Sequence, residues 1–265
     1  MKKNLYYRTV FRRKNIVKEF LSDVFFTGAS YPRLLLEVFI RKNFGERYFS
    51  FASVITVSVV LAIFPAGVKQ IMSLMSGYGS YGGYGGGGSS SDFWSKYATW
   101  YLFLIAFVYY GFKRRQEVKR NPSVFDFERF SLHTGDLHPS LSNLQIFGSA
   151  TPRQVEIIYE PGLFFIIGIV LILMGQKLGA LLLLSSICYS LSYWGAYRRG
   201  DEFIMDKIDE MILNEEMENA FVHDMSTDKT RGVRFYAKKP NGEELRRKVS
   251  EAIIENSPED VGVAR

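Results

Sequence analysis

The chain has 265 residues, one cysteine, 47% hydrophobic residues and a formal charge of +6. A single Cys188 excludes an intrachain disulfide scaffold, and an aromatic content of 15% excludes a wholly disordered chain. The mean hydropathy of −0.01 averages long apolar runs with strongly polar segments. That alternation points to a mainly α integral membrane protein, with four predicted transmembrane helices in two pairs and small cytosolic helical or α+β segments.

Residues 1–48 form a basic arm of net charge +7, from 11 basic and 4 acidic residues. Ile16, Val17, Phe20, Leu21, Val24 and Phe25 recur at helical spacing, with Lys18, Glu19, Ser22 and Asp23 on the other face. The pattern predicts an amphipathic helix. Pro32 is expected to break it, and Leu34, Leu35, Val38 and Phe39 to open a second helix. A basic arm with an apolar stripe beside a span is expected to lie on membrane lipid, where anionic headgroups add about 1 kcal/mol per nearby basic residue. A docking helix for another subunit is the alternative. Arg12, Arg13 and Lys14 make too small a patch to argue for nucleic acid.

The first span is 49–68, 20 residues without a charge. At about 1.5 Å per residue it crosses a hydrocarbon core of about 30 Å. The external loop, 69–92, contains SGYGSYGGYGGGGSSS from Ser76 to Ser91. Gly and Ser bury too little apolar area to offset chain entropy, so a flexible spacer is expected. Tyr78, Tyr81 and Tyr84 are its candidate contact residues. No Lys-Ser/Thr follows the glycines, so it is not a phosphate-binding loop. The second span is 93–112, with Lys96 in its first turn.

The cytosolic loop 113–161 carries the residues closest to metal chemistry. Ser131 to His138 reads SLHTGDLH, and His133, Asp136 and His138 supply two imidazoles and a carboxylate. A turn with solvent-exposed histidines explains them more simply. Val155, Ile157 and Tyr159 alternate as in a short strand, and Pro161 suits the first position of a third helix.

The third and fourth runs are 162–175 and 178–197, separated by Gln176 and Lys177. A single long helix from Pro161 to Trp194 would put Lys177 near the bilayer centre, at about 2.5–3.5 kcal/mol. A hairpin turned by Gly175 and Gly179 avoids that cost and is expected. Gly179, Ser185, Ser186, Ser190 and Ser192 are the candidate helix-packing residues of the fourth span, with Cys188 on the same surface.

The tail, 198–265, is net −4. Phe203, Ile204, Ile208, Met211, Ile212 and Met217 predict an amphipathic helix below the fourth span. Asp206, Asp209 and Glu210 lie among them and are read as its solvated side. Gly232 to Lys238 suggests a strand. Asn241 is expected to cap a helix from Glu243 with Leu245, Val249, Ile253 and Ile254 on its apolar face. The basic arm and acidic tail are of opposite sign, which favours their meeting within one chain or between copies.

Basic residues number 11 in 1–48, 7 in 113–161 and 12 in 198–265, against Lys69, Lys96 and Lys177 elsewhere. The positive-inside rule then predicts cytoplasmic N and C termini, in a bacterial inner membrane. Arg41, Lys42, Arg47, Lys113, Arg114, Arg115, Arg198 and Arg199 are the candidate membrane-surface residues. No apolar core follows the first residues until 49, too late for a cleaved signal.

Inside the four spans there is no Asp, Glu, His or Arg, the groups that proton relays and ion pathways use. No nucleophile elbow, dinucleotide fingerprint, Walker sequence or zincin motif is present. No catalytic residue and no cofactor is therefore expected. The reading is a non-enzymatic structural or assembly subunit of a multiprotein membrane machine, such as a secretion or conjugation apparatus. Its partners would be membrane lipid, other subunits of the complex and a second copy of the chain. The alternatives are an oligomeric channel or transporter lined by Ser185, Ser186, Ser190 and Ser192, and a metal-dependent enzyme at the inner membrane surface using His133, Asp136 and His138.

Overall fold

A computed structural model of the chain describes residues 3–11, 16–77, 90–118, 130–138 and 150–255. The core of the Gly/Tyr/Ser-rich loop, 78–89, lies outside the described residues. So do 12–15, 119–129, 139–149 and the segment after 255.

The protein is mainly α. Its long elements are α1 (Ile16–Ile40), α2 (Phe51–Gly77), α3 (Ser90–Val118), α4 (Pro152–Leu173), α5 (Leu178–Met217) and α6 (Glu243–Ile253). Two antiparallel two-residue pairings join β1 (Lys3–Asn4) to β4 (Ile254–Glu255) and β2 (Arg41–Lys42) to β3 (Asp136–Leu137). Among the described residues two helices are long and apolar enough to cross a membrane, Pro152–Leu173 and Leu178–Val222, and Phe51–Gly67 is a shorter apolar helix. The window of α3 is less apolar because Trp94, Tyr97, Trp100, Tyr101 and Lys96 crowd its first half. The chain divides into two compact units, residues 23–195 and residues 1–22 with 196–265.

In the first unit, Leu34, Leu35, Val38, Phe44, Phe49, Val54 and Phe107 form the core. Pro32 does not break α1, which runs through it. A proline removes one backbone bond, here to the Gly28 carbonyl, and burial of Leu34, Leu35, Leu36 and Val38 just beyond it offsets that loss. Helices α2 and α3 pack closely where Gly111 meets Val54. A Cβ on Gly111 would come within 2.7 Å of Val54 Cγ1. Pro65 inside α2 leaves the Leu61 carbonyl without its helical donor, and the Trp100 indole of α3 donates to that oxygen at 2.9 Å.

Helix α4 also begins earlier than the sequence predicts. Residues 152–159 are helical, with a wide turn at Val155–Tyr159, where a strand was expected. Thr151 and Gln154 form a capping box that nucleates the helix there, and no described strand lies alongside to pair with these residues. The chain reverses at 174–177, with Gly175 at φ 75, a conformation that suits only glycine well. Helices α4 and α5 then lie against each other through Gly168 and Gly179, where a Cβ on Gly179 would sit 2.4 Å from the Gly168 carbonyl oxygen.

In the second unit, Tyr7, Leu213, Met217, Phe221 and Val222 form the core, with Tyr6, Val233, Phe235, Val249, Ile253 and Ile254 packed around it. Residues 3–11 are thus part of the same body as the tail. Residues 232–238 do not form the expected strand. Their period-two alternation survives, with Val233 and Phe235 half-buried and Arg234 and Tyr236 exposed, but no described segment supplies a ladder partner. Asn241 does not cap α6 either. Gly242 occupies the cap at φ 101 without a side-chain bond, and Arg246 Nε holds the turn by donating to the Pro240 carbonyl at 2.7 Å.

Candidate functional site

The densest polar chemistry of the first unit lies on three helices whose charged and phenolic residues recur every fourth position. Arg33, Glu37 and Arg41 follow that spacing on α1, Glu156 and Glu160 on α4, and Tyr189 and Tyr193 on α5. Four-residue spacing stacks them along one face of each helix.

Arg41 is the hub. Its side chain is 2% exposed, and its Nη2 lies 2.8 Å from Glu160 Oε2 and 3.1 Å from Glu156 Oε1. Arg41 Nε donates to Glu160 Oε2 at 3.0 Å, and Nη1 to Thr134 Oγ1 at 3.2 Å. The Tyr189 hydroxyl donates to Glu160. The Tyr193 hydroxyl donates to Glu37 Oε1 at 2.8 Å, and the Tyr48 hydroxyl donates to the same carboxylate at 2.7 Å. Arg33 Nη1 donates to Ser192 Oγ at 2.9 Å and Nη2 to Tyr48 at 2.6 Å. Arg33 Nε lies 3.2 Å from Glu37 Oε1. That contact is an ion pair without hydrogen-bond alignment, and Nε is the one buried side-chain polar atom among the described residues that lacks a hydrogen bond. Both guanidiniums also lie about 5 Å from the Tyr193 ring centroid, at 5.0 Å for Arg33 and 4.9 Å for Arg41. Burial, and next the Glu37 carboxylate, push the Tyr48 phenol well above its ordinary range. The phenol stays protonated and acts as a donor.

This cluster is closed on itself. Its carboxylates accept from arginines and tyrosines of the same unit, and its phenols donate inward. That chemistry fixes which faces of α1, α4 and α5 meet. It presents no nucleophile with a neighbouring base and no donor pair directed at a vacant position.

The sequence predicts a different role for the hub Arg41 and for a second buried cation, Arg114. Arg41 and Arg114, read as membrane-surface residues, are buried in protein. A guanidinium fork this close to buried carbonyls and carboxylates is better satisfied inside: Arg114 Nε donates to the Val38 carbonyl at 3.2 Å and Nη1 to Glu117 at 2.7 Å. Lys42 is half-buried, and Arg47, Lys113, Arg115, Arg198 and Arg199 are exposed.

His133, Asp136 and His138 do not converge. His133 Nε2 lies 3.2 Å from Asp136 Oδ1, but among the described residues no three His, Cys, Asp or Glu side chains are grouped to hold a metal. The SLHTGDLH loop is a backbone brace instead. His138 N–H donates to the Ile40 carbonyl at 2.9 Å, Gly45 N–H to the His133 carbonyl at 2.8 Å, and Arg47 N–H to the Ser131 carbonyl at 2.9 Å. The brace carries Thr134 to Arg41.

The serines of α5 all face protein. Ser186 donates to the Pro161 carbonyl at 2.6 Å, Ser190 to the Ile157 carbonyl at 2.7 Å, Ser192 accepts from Arg33, and Ser185 is buried. Gly179 meets Gly168, as described above. Cys188 is partly exposed. In the other unit, the acidic side chains of α5 serve the N-terminal segment. Asn4 N–H donates to Glu210 at 2.9 Å, and the Tyr7 hydroxyl to Asp206 at 3.2 Å.

No family model, curated protein or solved structure matches the chain.

Proposed function

We propose that the chain is a non-enzymatic membrane-integral subunit that organises a multiprotein membrane machine, with α2, α3, α4 and α5 as four crossings and both termini on the cytoplasmic side. One contrast carries the reading. The charged groups buried in the first unit are spent on one another, while large apolar side chains stand exposed along all four helices. Val60 and Ile63 on α2, Leu102 and Ile105 on α3, Ile166 on α4 and Leu184 on α5 are examples. In water such surfaces would be a liability; in a bilayer they are the required exterior. The exposed basic residues Arg47, Lys113, Arg115, Arg198 and Arg199 support the cytoplasmic side.

A secretion or conjugation apparatus, or another envelope assembly, needs such a component to hold partners at the membrane. The test is recovery of the tagged full-length protein from its native membrane in mild detergent, with identification of accompanying chains and of particle mass. A defined set of other chains is the expected result. A homo-oligomer with no other chain would overturn the subunit reading.

A further inference from the structure

We propose that the first turns of α1 bind the surface of an anionic lipid bilayer, with Ile16, Val17, Phe20, Leu21 and Val24 seated at headgroup level. These five side chains are 54–78% exposed. At 3.6 residues per turn they fill one arc of about 140° on the helix. The other side of the helix carries Lys18, Glu19, Ser22 and Asp23, with Lys18 Nζ 3.9 Å from a Glu202 carboxylate oxygen, so the helix is polar there and apolar along the open arc.

Charge selects the occupant. Between positions 8 and 18 the sequence carries Arg8, Arg12, Arg13, Lys14 and Lys18 and no acidic residue; 12–14 enter this argument by their charge alone. An anionic bilayer answers both properties at once, taking the apolar arc among its acyl chains and the cations among its headgroups. A second copy docked through the same arc would answer only the first.

The proposal is independent of the subunit reading. Its test uses the full chain with Cys188→Ser, carrying a single spin label at Phe20→Cys, at Ser22→Cys, or at Ile169→Cys on α4. The protein is reconstituted in phosphatidylcholine vesicles with and without phosphatidylglycerol, and collision with oxygen is compared with collision with a water-soluble nickel chelate. With phosphatidylglycerol, the label at 20 should favour oxygen over nickel severalfold more than the label at 22. That preference should shrink without the anionic lipid and in high salt. Leu21→Glu, at a side chain open to solvent, should return the label at 20 toward nickel. Equal nickel access at 20 and 22 in the anionic vesicles would overturn the proposal. So would shielding from both reagents with spin–spin broadening between copies. The label at 169 reports bilayer insertion of α4 separately: nickel access at 169 with lipid burial at 20 would sink the four-crossing topology and leave this proposal standing.

Discussion

Arg41 keeps its charge out of water because two carboxylates, a threonine hydroxyl and an aromatic face surround it. Removing one partner of such a cluster leaves the others charged and unpaired. Arg41→Ala is therefore expected to cost about 3–5 kcal/mol. Arg41→Lys should also destabilise, because an ammonium cannot reproduce the bidentate fork on Glu160. Denaturant unfolding in detergent measures both, and a double variant with Glu160→Gln should lose less than the two single effects together. The Tyr7 phenol gives a pH-dependent counterpart in the other unit. Burial, and then the Asp206 carboxylate, push it up to about 12 from an ordinary 10.0. The raised value means that its stabilising contribution is full below pH 10 and is lost as pH rises through about 12. A tyrosinate absorbance titration should show one phenol near pH 12 that disappears in Tyr7→Phe. A phenol titrating at its ordinary value would refute the contact. The sequence marks Arg41 only as a cation beside a span and gives Arg33 and Glu37 no role. What was not legible was that Arg41 and Glu37 pair with Glu156, Glu160 and Tyr193, since partners more than a hundred positions away are brought together by the fold and not by proximity in the chain. Counting Arg41 and Arg114 as surface cations followed from treating charge as solvated by default.

The helices show the same division between local and distant causes. Apolar length made the four runs recognisable. Gly175, between two apolar stretches, marked the reversal between α4 and α5. Pro32 and the alternation at 155–159 misled, because local propensity carries no information about the packing that carries α1 through its proline or about the partner that a strand would need. Pro65 repeats the problem within α2, and there the compensation is a single atom, the Trp100 indole nitrogen on the Leu61 carbonyl. Trp100→Phe should cost about 1–3 kcal/mol for the unsatisfied carbonyl, beyond the change in packing. In a Pro65→Ala background the restored backbone N–H can serve Leu61, so the same substitution should cost less. Equal costs in the two backgrounds, measured by thermal unfolding, would show that the indole bond contributes nothing. The Gly168–Gly179 contact is stricter, because the neighbour of any added carbon is backbone. Gly179→Ala should lower stability by about 1–3 kcal/mol by forcing α4 and α5 apart.

For the molecule as a whole, the basic arm that composition treats as one segment is two things. Residues 3–11 and the first turns of α1 belong to the unit of the tail, and the rest of α1 belongs to the other unit. Opposite net charge hinted that arm and tail could meet, but the contact is mostly apolar and aromatic. Tyr6 stacks on Phe235 at 3.9 Å between ring centroids, and Asn4 is fully buried beside Glu210. Deleting residues 2–11 should therefore uncover Leu213, Phe221 and Phe235. Amide exchange across 206–255 should accelerate by at least tenfold, while the segment 152–195 remains protected. Unchanged exchange in the tail would mean that residues 3–11 add nothing to that body.

The pairing of β1 with β4 also imposes an order on biosynthesis. Lys3 lies opposite Glu255, and at about 5–20 residues per second the ribosome makes the second about 10–50 s after the first. During that interval the nascent β1 has no mate, and all of α2 to α5 emerges before one exists. The second unit therefore closes only after every apolar helix has left the ribosome, so its completion reports that synthesis of the whole 3–255 stretch has succeeded. A chain truncated before β4 would display an unpaired β1, and one truncated before Phe235 would also leave Tyr6 without the ring it stacks on, a signature open to quality-control factors.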